Sequence, residues 1–301
     1  SIVAKYAIYI FIGAIALTLL VFVPGLGFSH GGATRWILIG PFSFQPAEVL
    51  KFAFIIYLAT WLSGTHTKIG TLLHGTIPFF AITGVVGLVM LLQPDTDTFL
   101  IMAAAGAAMF ITAGGKWTHV LAIGVTGIIL IAALALSRPY IMDRLTIFLD
   151  PSQDPHGAGY QVQQSLIAVG SGGVTGRGFG QSVQKFEYLP EPIGDSIFAV
   201  YSEEFGFIGA STLIILLTLF TFRGYKIASR ATDRFGMLLV VGIMTLIAAQ
   251  AFLNIAAMVA LMPISGLPLP FISHGGTALL ALLAAVGIVL NVSKYQRRIK
   301  T

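Results

Sequence analysis

The sequence predicts an all-α fold, a polytopic membrane helical bundle forming one transmembrane domain over residues 1–301. Three observations predict it. Charged residues make up only 10% of the chain, where a soluble domain carries about 25%. So few charges cannot cover a water-facing surface of this size, so lipid must be the main solvent. Hydrophobic types make up 56%, with a mean hydropathy of +0.89. The apolar residues also gather into stretches near the roughly 20 residues that cross a bilayer. Thirty-four glycines and thirteen prolines are tolerated in membrane helices.

Eight segments qualify as spans: 6–23, 47–63, 75–92, 98–113, 118–136, 196–221, 236–262 and 275–292. The first, fifth and last are uninterrupted. The 98–113 segment is short and rich in Ala and Gly, which predicts packing against protein on most sides. Basic residues set the orientation. One alternate set of connections holds Lys5, Lys68, Lys116, Arg223, Lys226, Arg230, Arg234, Lys294, Arg297, Arg298 and Lys300, which is 11 of the 17 basic residues. That set is expected in the cytoplasm, with both ends of the chain. The other set holds Arg35, Arg138, Arg144, Arg177, Lys185 and nearly all the acids, and is expected outside.

The absence of cysteine excludes disulfides, thiolate metal sites and cysteine nucleophiles. The net charge of +5 is positional, and no nucleic-acid partner is expected. The chain opens on Ser1 and enters an apolar stretch at once, as a fragment or trimmed chain would.

The longest outer connection, about 137–195, contains apolar and aromatic residues, a short helix near 160–169 and the glycine-rich run GSGGVTGRGFG. A loop of that length is commonly functional, and this one reads as an ordered, partly interfacial cap. The run fits neither a Walker A nor a dinucleotide fingerprint, although Arg177 and Lys185 could meet an anion.

Chemistry could reside in four places. In FQPAEVLKF (44–52), Pro46 suits a helix start, and Glu48 and Lys51 share one helix face. An ionisable pair in a span suggests function, though a structural ion pair is the plain alternative. In 188–209, Asp195 sits where the loop becomes the sixth span. Glu203 and Glu204 lie deeper and are expected to make internal hydrogen bonds. Asp95 and Asp97 could bind a divalent cation, yet a helix cap suits an acid there better. Gln250 and Asn254 are spaced i,i+4 as helix glue, and the uncharged turn PISGLPLPFISHGG follows as re-entrant or capping structure.

GATRWILIGPFSFQPAEVLKF (32–52), GYQVQQSLIAVGSGGVTGRGFGQSVQKFEYLPE (159–191), DSIFAVYSEEFGFIG (195–209) and NIAAMVALMPISGLPLPFISHGGTALL (254–280) together resemble the SEDS family (shape, elongation, division and sporulation). The likeness is to its FtsW and RodA members, somewhat more to FtsW. Family members have ten spans, so the resemblance implies that the first two are missing here. It also implies a peptidoglycan glycosyltransferase of the bacterial cytoplasmic membrane that polymerises lipid II into β-1,4 glycan, its active site facing outward. The family's essential aspartate falls on Asp195, and the Glu and Lys of its QPSE-x-x-K motif fall on Glu48 and Lys51. This chain departs from the family where QPDLGT reads QPDTDT, where Ile193, Gly194 and Ser196 flank the aspartate, and where His274 replaces a Tyr.

On that resemblance Asp195 is expected to act as general base, with Lys51 beside it and Glu48 orienting Lys51. Arg35, Arg144, Arg177 and Lys185 are expected to bind the anionic substrate. No cofactor is assigned, and a divalent cation (Mg or Mn) is left open. The partners implied are lipid II, a class B penicillin-binding protein as transpeptidase, and other divisome or elongasome membrane proteins. Two other readings fit the residues: a lipid-linked oligosaccharide flippase, for which Glu203 and Glu204 speak, and a non-catalytic divisome scaffold.

Overall fold

The computed structural model describes residues 2–30, 33–40, 42–65, 67–137 and 139–296. Arg138, Arg297, Arg298 and Lys300 of the charge argument lie outside the described residues. Each of the eight apolar segments forms a helix. In chain order the elements are α1 (Ile2–Leu19), β1 (Gly27–His30), β2 (Ala33–Ile39), β3 (Phe42–Phe44), α2 (Pro46–Gly64), α3 (Ile77–Leu92), α4 (Thr96–Thr112), α5 (Trp117–Ser137), α6 (Pro139–Leu149), α7 (Ala158–Ser171), α8 (Gln184–Glu187), α9 (Ile197–Ser229), α10 (Arg234–Met258) and α11 (Gly276–Lys294). Among the described residues, six helical stretches are long and apolar enough to cross a membrane: Val3–Phe22, Pro46–Gly64, Leu72–Leu92, Ile197–Ser229, Arg234–Met258 and Gly276–Lys294. This is a multi-pass helical membrane protein.

By contacts the chain divides into two compact units. The first comprises Ser1–Ile123, Thr221–Ile247 and Gly276–Thr301; the second comprises Gly124–Phe220 and Ala248–Gly275. In the first, α1 packs on α2, and α4 packs on both α2 and α3. The face of α4 carrying Ile101, Met102, Ala105, Met109 and Phe110 is buried, although Leu100 is exposed. Small residues let these helices approach. A Cβ on Gly106 would lie 3.2 Å from the Phe54 ring, and one on Gly242 would lie 2.5 Å from Met109 Sδ.

Between α1 and α2 the chain makes a three-stranded antiparallel meander, β1-β2-β3, where the sequence had suggested no element. The register pairs Phe28 with Trp36 and Ile37 with Phe44. The run ATRWILI has the aromatic and β-branched content that strands favour. Gln45 then turns the chain and Pro46 opens α2, as its fixed φ predisposes it to do.

In the second unit, α7, α9 and α10 share a core with the turn after α10. Ala168, Leu189, Phe198, Ala199, Val200, Ala251, Met258 and Leu269 are buried together. Carboxylate hydrogen bonds order the loop before α7. The side chain of Asp150 accepts from the backbone N–H of Ser152 at 3.1 Å and from the Gln153 amide at 3.3 Å. Asp154 accepts from the N–H groups of Gly157 and Ala158 at 2.9 and 2.8 Å. The 160–169 helix is present as α7, and α6 and α8 accompany it.

The Ser152 hydroxyl, the Gln153 amide and the Ser152 N–H, all donating to Asp150, hold its carboxyl below the ordinary carboxylate range. A depressed pKa means the turn is stabilised above the ordinary value and loses that support as pH falls through the lowered one. The protection of Ser152 N–H from hydrogen exchange, taken relative to its intrinsic rate at each pH, is therefore expected to fall only below the usual carboxylate titration. Asp150→Ala should abolish that pH dependence.

Candidate functional site

Asp195 is half-buried where the loop meets α9, and its backbone is anchored on three sides. Glu191 adopts φ 48, a left-handed conformation uncommon outside glycine. The Glu191 carbonyl accepts from both Gly194 N and Ser196 N at 3.1 Å. Ser196 is buried; its hydroxyl donates to the Pro190 carbonyl at 2.8 Å and accepts from the Gln161 amide of α7 at 3.0 Å. The carbonyls of residues 193, 194 and 195 then each accept a bond from a distant segment. His274 N donates to Ile193 O at 2.8 Å, Ser273 Oγ to Gly194 O at 2.7 Å, and Asn254 Nδ2 to Asp195 O at 2.7 Å.

Asn254 Nδ2 also donates to Leu267 O at 2.8 Å, and Gln250 Nε2 donates to Pro268 O at 2.7 Å. The glue reading of these amides is thus specific. They bind backbone carbonyls of the PISGLPLPF turn, and Asn254 joins that turn to Asp195. Removing such a donor leaves buried carbonyls unpaired, at about 1–3 kcal/mol. Sequence reasoning missed Gln161, Ser196, Ser273 and His274 as supports. Ser196 and His274 were seen only as departures from a pattern.

The glycine-rich run has a structural purpose. Gly206 breaks α9 with φ 65 and ψ −165, which strips neighbouring backbone groups of helical partners. The run supplies replacements. Arg177 N and Gly178 N donate to the carbonyls of Glu203 and Glu204, while Phe207 N and Ile208 N donate to those of Gly173 and Val174, all at 2.9–3.1 Å. Side chains would prevent this approach. A Cβ on Gly172 or Gly176 would lie 2.1 Å from the carbonyl oxygen of Ser202 or Glu204.

The same docking pairs the two buried acids of α9. Glu203 is fully buried; it accepts from Ser182 Oγ at 2.6 Å, from Val183 N at 3.2 Å and from Gln184 N at 3.3 Å. The Arg177 guanidinium lies 3.4 Å from it. Glu204 pairs with Lys185 at 2.6 Å. Internal bonding was the expected role of both acids. Arg177 and Lys185, expected to meet substrate, each stand against one of them, so an incoming anion would have to compete.

Arg144 of α6 lines a pocket otherwise made by Ile147, Phe148, Ala158, Val162, Ala260, Met262, Pro263 and Ile264. In the first unit, Lys51 donates to Glu48 at 2.8 Å, and both are buried. Arg35 of β2 donates to the carbonyls of Gln93 and Pro94 and stands 3.9 Å from Asp95. Asp95 caps α4 by accepting from Thr98 N at 3.3 Å. Among the described residues no three His, Cys, Asp or Glu side chains come together. No chemical step is assigned to a divalent cation.

Two glycine substitutions separate close approach from backbone conformation. Gly173→Ala, at φ +55 with open space around its Cβ, should cost about 1–2 kcal/mol, the left-handed penalty. Gly176→Ala, at φ +82 and pressed on the Glu204 carbonyl, should unseat the loop and cost clearly more. Thermal unfolding of the two variants in detergent measures the difference.

The chain matches the profile of the cell cycle protein family FtsW/RodA/SpoVE over residues 1–298. It is 43% identical to stage V sporulation protein E of Bacillus subtilis over 281 residues, covering 93% of this chain and 77% of that one. It is 41% identical to a probable peptidoglycan glycosyltransferase FtsW of Geobacter over 293 residues, covering 97% and 80%. Among solved structures it superposes on a chain of a peptidoglycan synthase complex that coordinates polymerisation and crosslinking. The TM-score is 0.80 at 26% identity, over 99% of this chain and 83% of that one. It also superposes on the rod shape determining protein RodA of Thermus thermophilus with a TM-score of 0.69 at 26% identity, over 98% and 80%. With the family profile matched along nearly its whole length, the chain belongs to the FtsW/RodA/SpoVE family of SEDS membrane proteins.

Proposed function

We propose that the protein is a peptidoglycan glycosyltransferase that polymerises lipid II and uses Asp195 as its general base. One observation supports this most: the backbone carbonyls of residues 193, 194 and 195 are each held by a donor from the chain between Asn254 and His274. A reacting group must be held in a productive geometry, and backbone anchoring of this kind does so.

In the proposed reaction the C4 hydroxyl of an acceptor sugar attacks the anomeric carbon of a lipid-linked donor. Asp195 takes the hydroxyl proton as the new C–O bond forms. The bond to the lipid diphosphate breaks, and the diphosphate leaves with its electron pair. An α-linked donor giving a β-linked product requires one inverting displacement, with no covalent intermediate. Base catalysis by one positioned carboxylate contributes roughly 10²–10⁴-fold. The leaving diphosphate calls for positive charge. Arg35 and Arg144 are proposed contacts, whereas Arg177 and Lys185 would have to exchange Glu203 and Glu204 for the diphosphate. The motif match assigns Lys51 and Glu48 to the catalytic set, with Glu48 orienting Lys51 through their 2.8 Å bond.

The proposed topology places the chain ends in the cytoplasm and Asp195 on the outer side of the bacterial cytoplasmic membrane, following the basic-residue bias. The proposed partner is a class B penicillin-binding protein. The likeness to a chain of a synthase complex that couples polymerisation to crosslinking supports it. Transport loses its main support because Glu203 and Glu204 are occupied by Ser182, Arg177 and Lys185.

Purified protein with its transpeptidase partner and lipid II provides the test. Wild type is expected to make glycan polymer, and Asp195→Asn, folded by the same elution and thermal criteria, is expected to lose about 10²–10⁴-fold in rate. Equal polymer from both would sink the Asp195 assignment.

A further inference from the structure

The glycine-rich segment presents apolar side chains to its surroundings. Phe179 is 83% exposed, and Val174, Val183, Phe186 and Tyr188 are exposed with it. In water such a patch is unfavourable. Part of its backbone is spent on α9: the carbonyls of Gly173 and Val174 accept from it, and the N–H groups of Arg177 and Gly178 donate to it. Irregular backbone enters a bilayer when its polar groups are satisfied by protein, and Glu203 serves the N–H groups of Val183 and Gln184 in the same way.

The patch is continuous with the outer face of α9. The Phe179 ring stands 6.0 Å from that of Phe205. Phe207 is 71% exposed, and Ile208, Ile214, Ile215, Leu216 and Leu219 continue the exposed strip along this apolar span. Helix length sets the depth. From Phe207, the first residue after the break, to Arg223 the helix runs about 16 positions, or roughly 24 Å at 1.5 Å per residue, most of the ~30 Å of a hydrocarbon core. Gly206, where the segment docks, therefore falls at one edge of that core. The charges beside it are already paired, Glu203 with Arg177 and Glu204 with Lys185. The Lys185 ammonium also sits 5.1 Å from the centre of the exposed Phe186 ring, an arrangement that suits an interface between water and acyl chains.

We propose that segment 174–186 is embedded in the lipid bilayer, with Val174 and Phe179 among the acyl chains of the leaflet at the N-terminal end of α9, so that the loop leading to Asp195 is moored in lipid. The inference is independent of the chemistry assigned to Asp195.

The chain has no cysteine, so one introduced thiol can carry one spin label. Full-length protein would be reconstituted in phosphatidylethanolamine and phosphatidylglycerol vesicles. Labels would be placed at Val174→Cys and Phe179→Cys, with Leu216→Cys as the lipid reference and His156→Cys as the water reference. Collision rates with oxygen and with a water-soluble nickel chelate are then compared. A ratio favouring oxygen at 174 and 179, close to that at 216, is the expected result. A ratio like that at 156 overturns the proposal. A label immobilised and shielded from both reagents means that protein covers the patch, and also overturns it. Phe186→Cys, at the charged border, substitutes if either primary variant fails to fold, and is judged by the same comparison.

Discussion

The structure depends on one constraint. Inside lipid, a backbone N–H or C=O without a partner costs several kcal/mol, and water cannot supply one. Ordinary spans satisfy this by being helical. Two irregular places, the break in α9 and the approach to Asp195, hold their backbone groups with bonds from elsewhere in the chain. At Gly206 the donors and acceptors come from 173–178. At 193–195 they come from Asn254, Ser273 and His274. The proposed site and irregular backbone coincide here because a regular helix leaves no carbonyl free for such anchoring.

The charges follow the same logic. Burying a charge is tolerated when it is paired and hydrogen-bonded. Glu203 meets a hydroxyl, two backbone N–H groups and a guanidinium. Glu48 and Lys51 answer one another within a single turn of α2. The meander before α2 and the proline at its first turn set where that pair begins. Asp195 is half-buried, and its main chain is held by the Asn254 amide.

Local signals were legible where local chemistry decides. Pro46 marked the start of α2 and Asp95 the cap of α4, since both act within a few residues of themselves. The 160–169 helix was visible in its own pattern. The meander was missed because Ala33–Ile39 is short, apolar and next to spans, so its content does not separate strand from loop. Ser196 read as an anomaly because the hydroxyl that binds Gln161, 35 residues away, has no signature in its neighbourhood. The glycines at 172 and 176 read as turn residues because their reason is a backbone carbonyl about 30 positions later.

By itself the sequence determined the solvent, the helices and the family. Charge content, apolar length and ordered motifs are all properties of the chain read in one direction. It also pointed to Asp195, through its motif. Only tertiary structure decided what holds Asp195 and what occupies Glu203, Glu204, Arg177 and Lys185. The reason is distance along the chain. Asn254 reaches Asp195 across 59 residues and Ser273 reaches Gly194 across 79. A hydrogen bond of 2.7 Å is specified by where two segments fold, which no local pattern of residue types encodes.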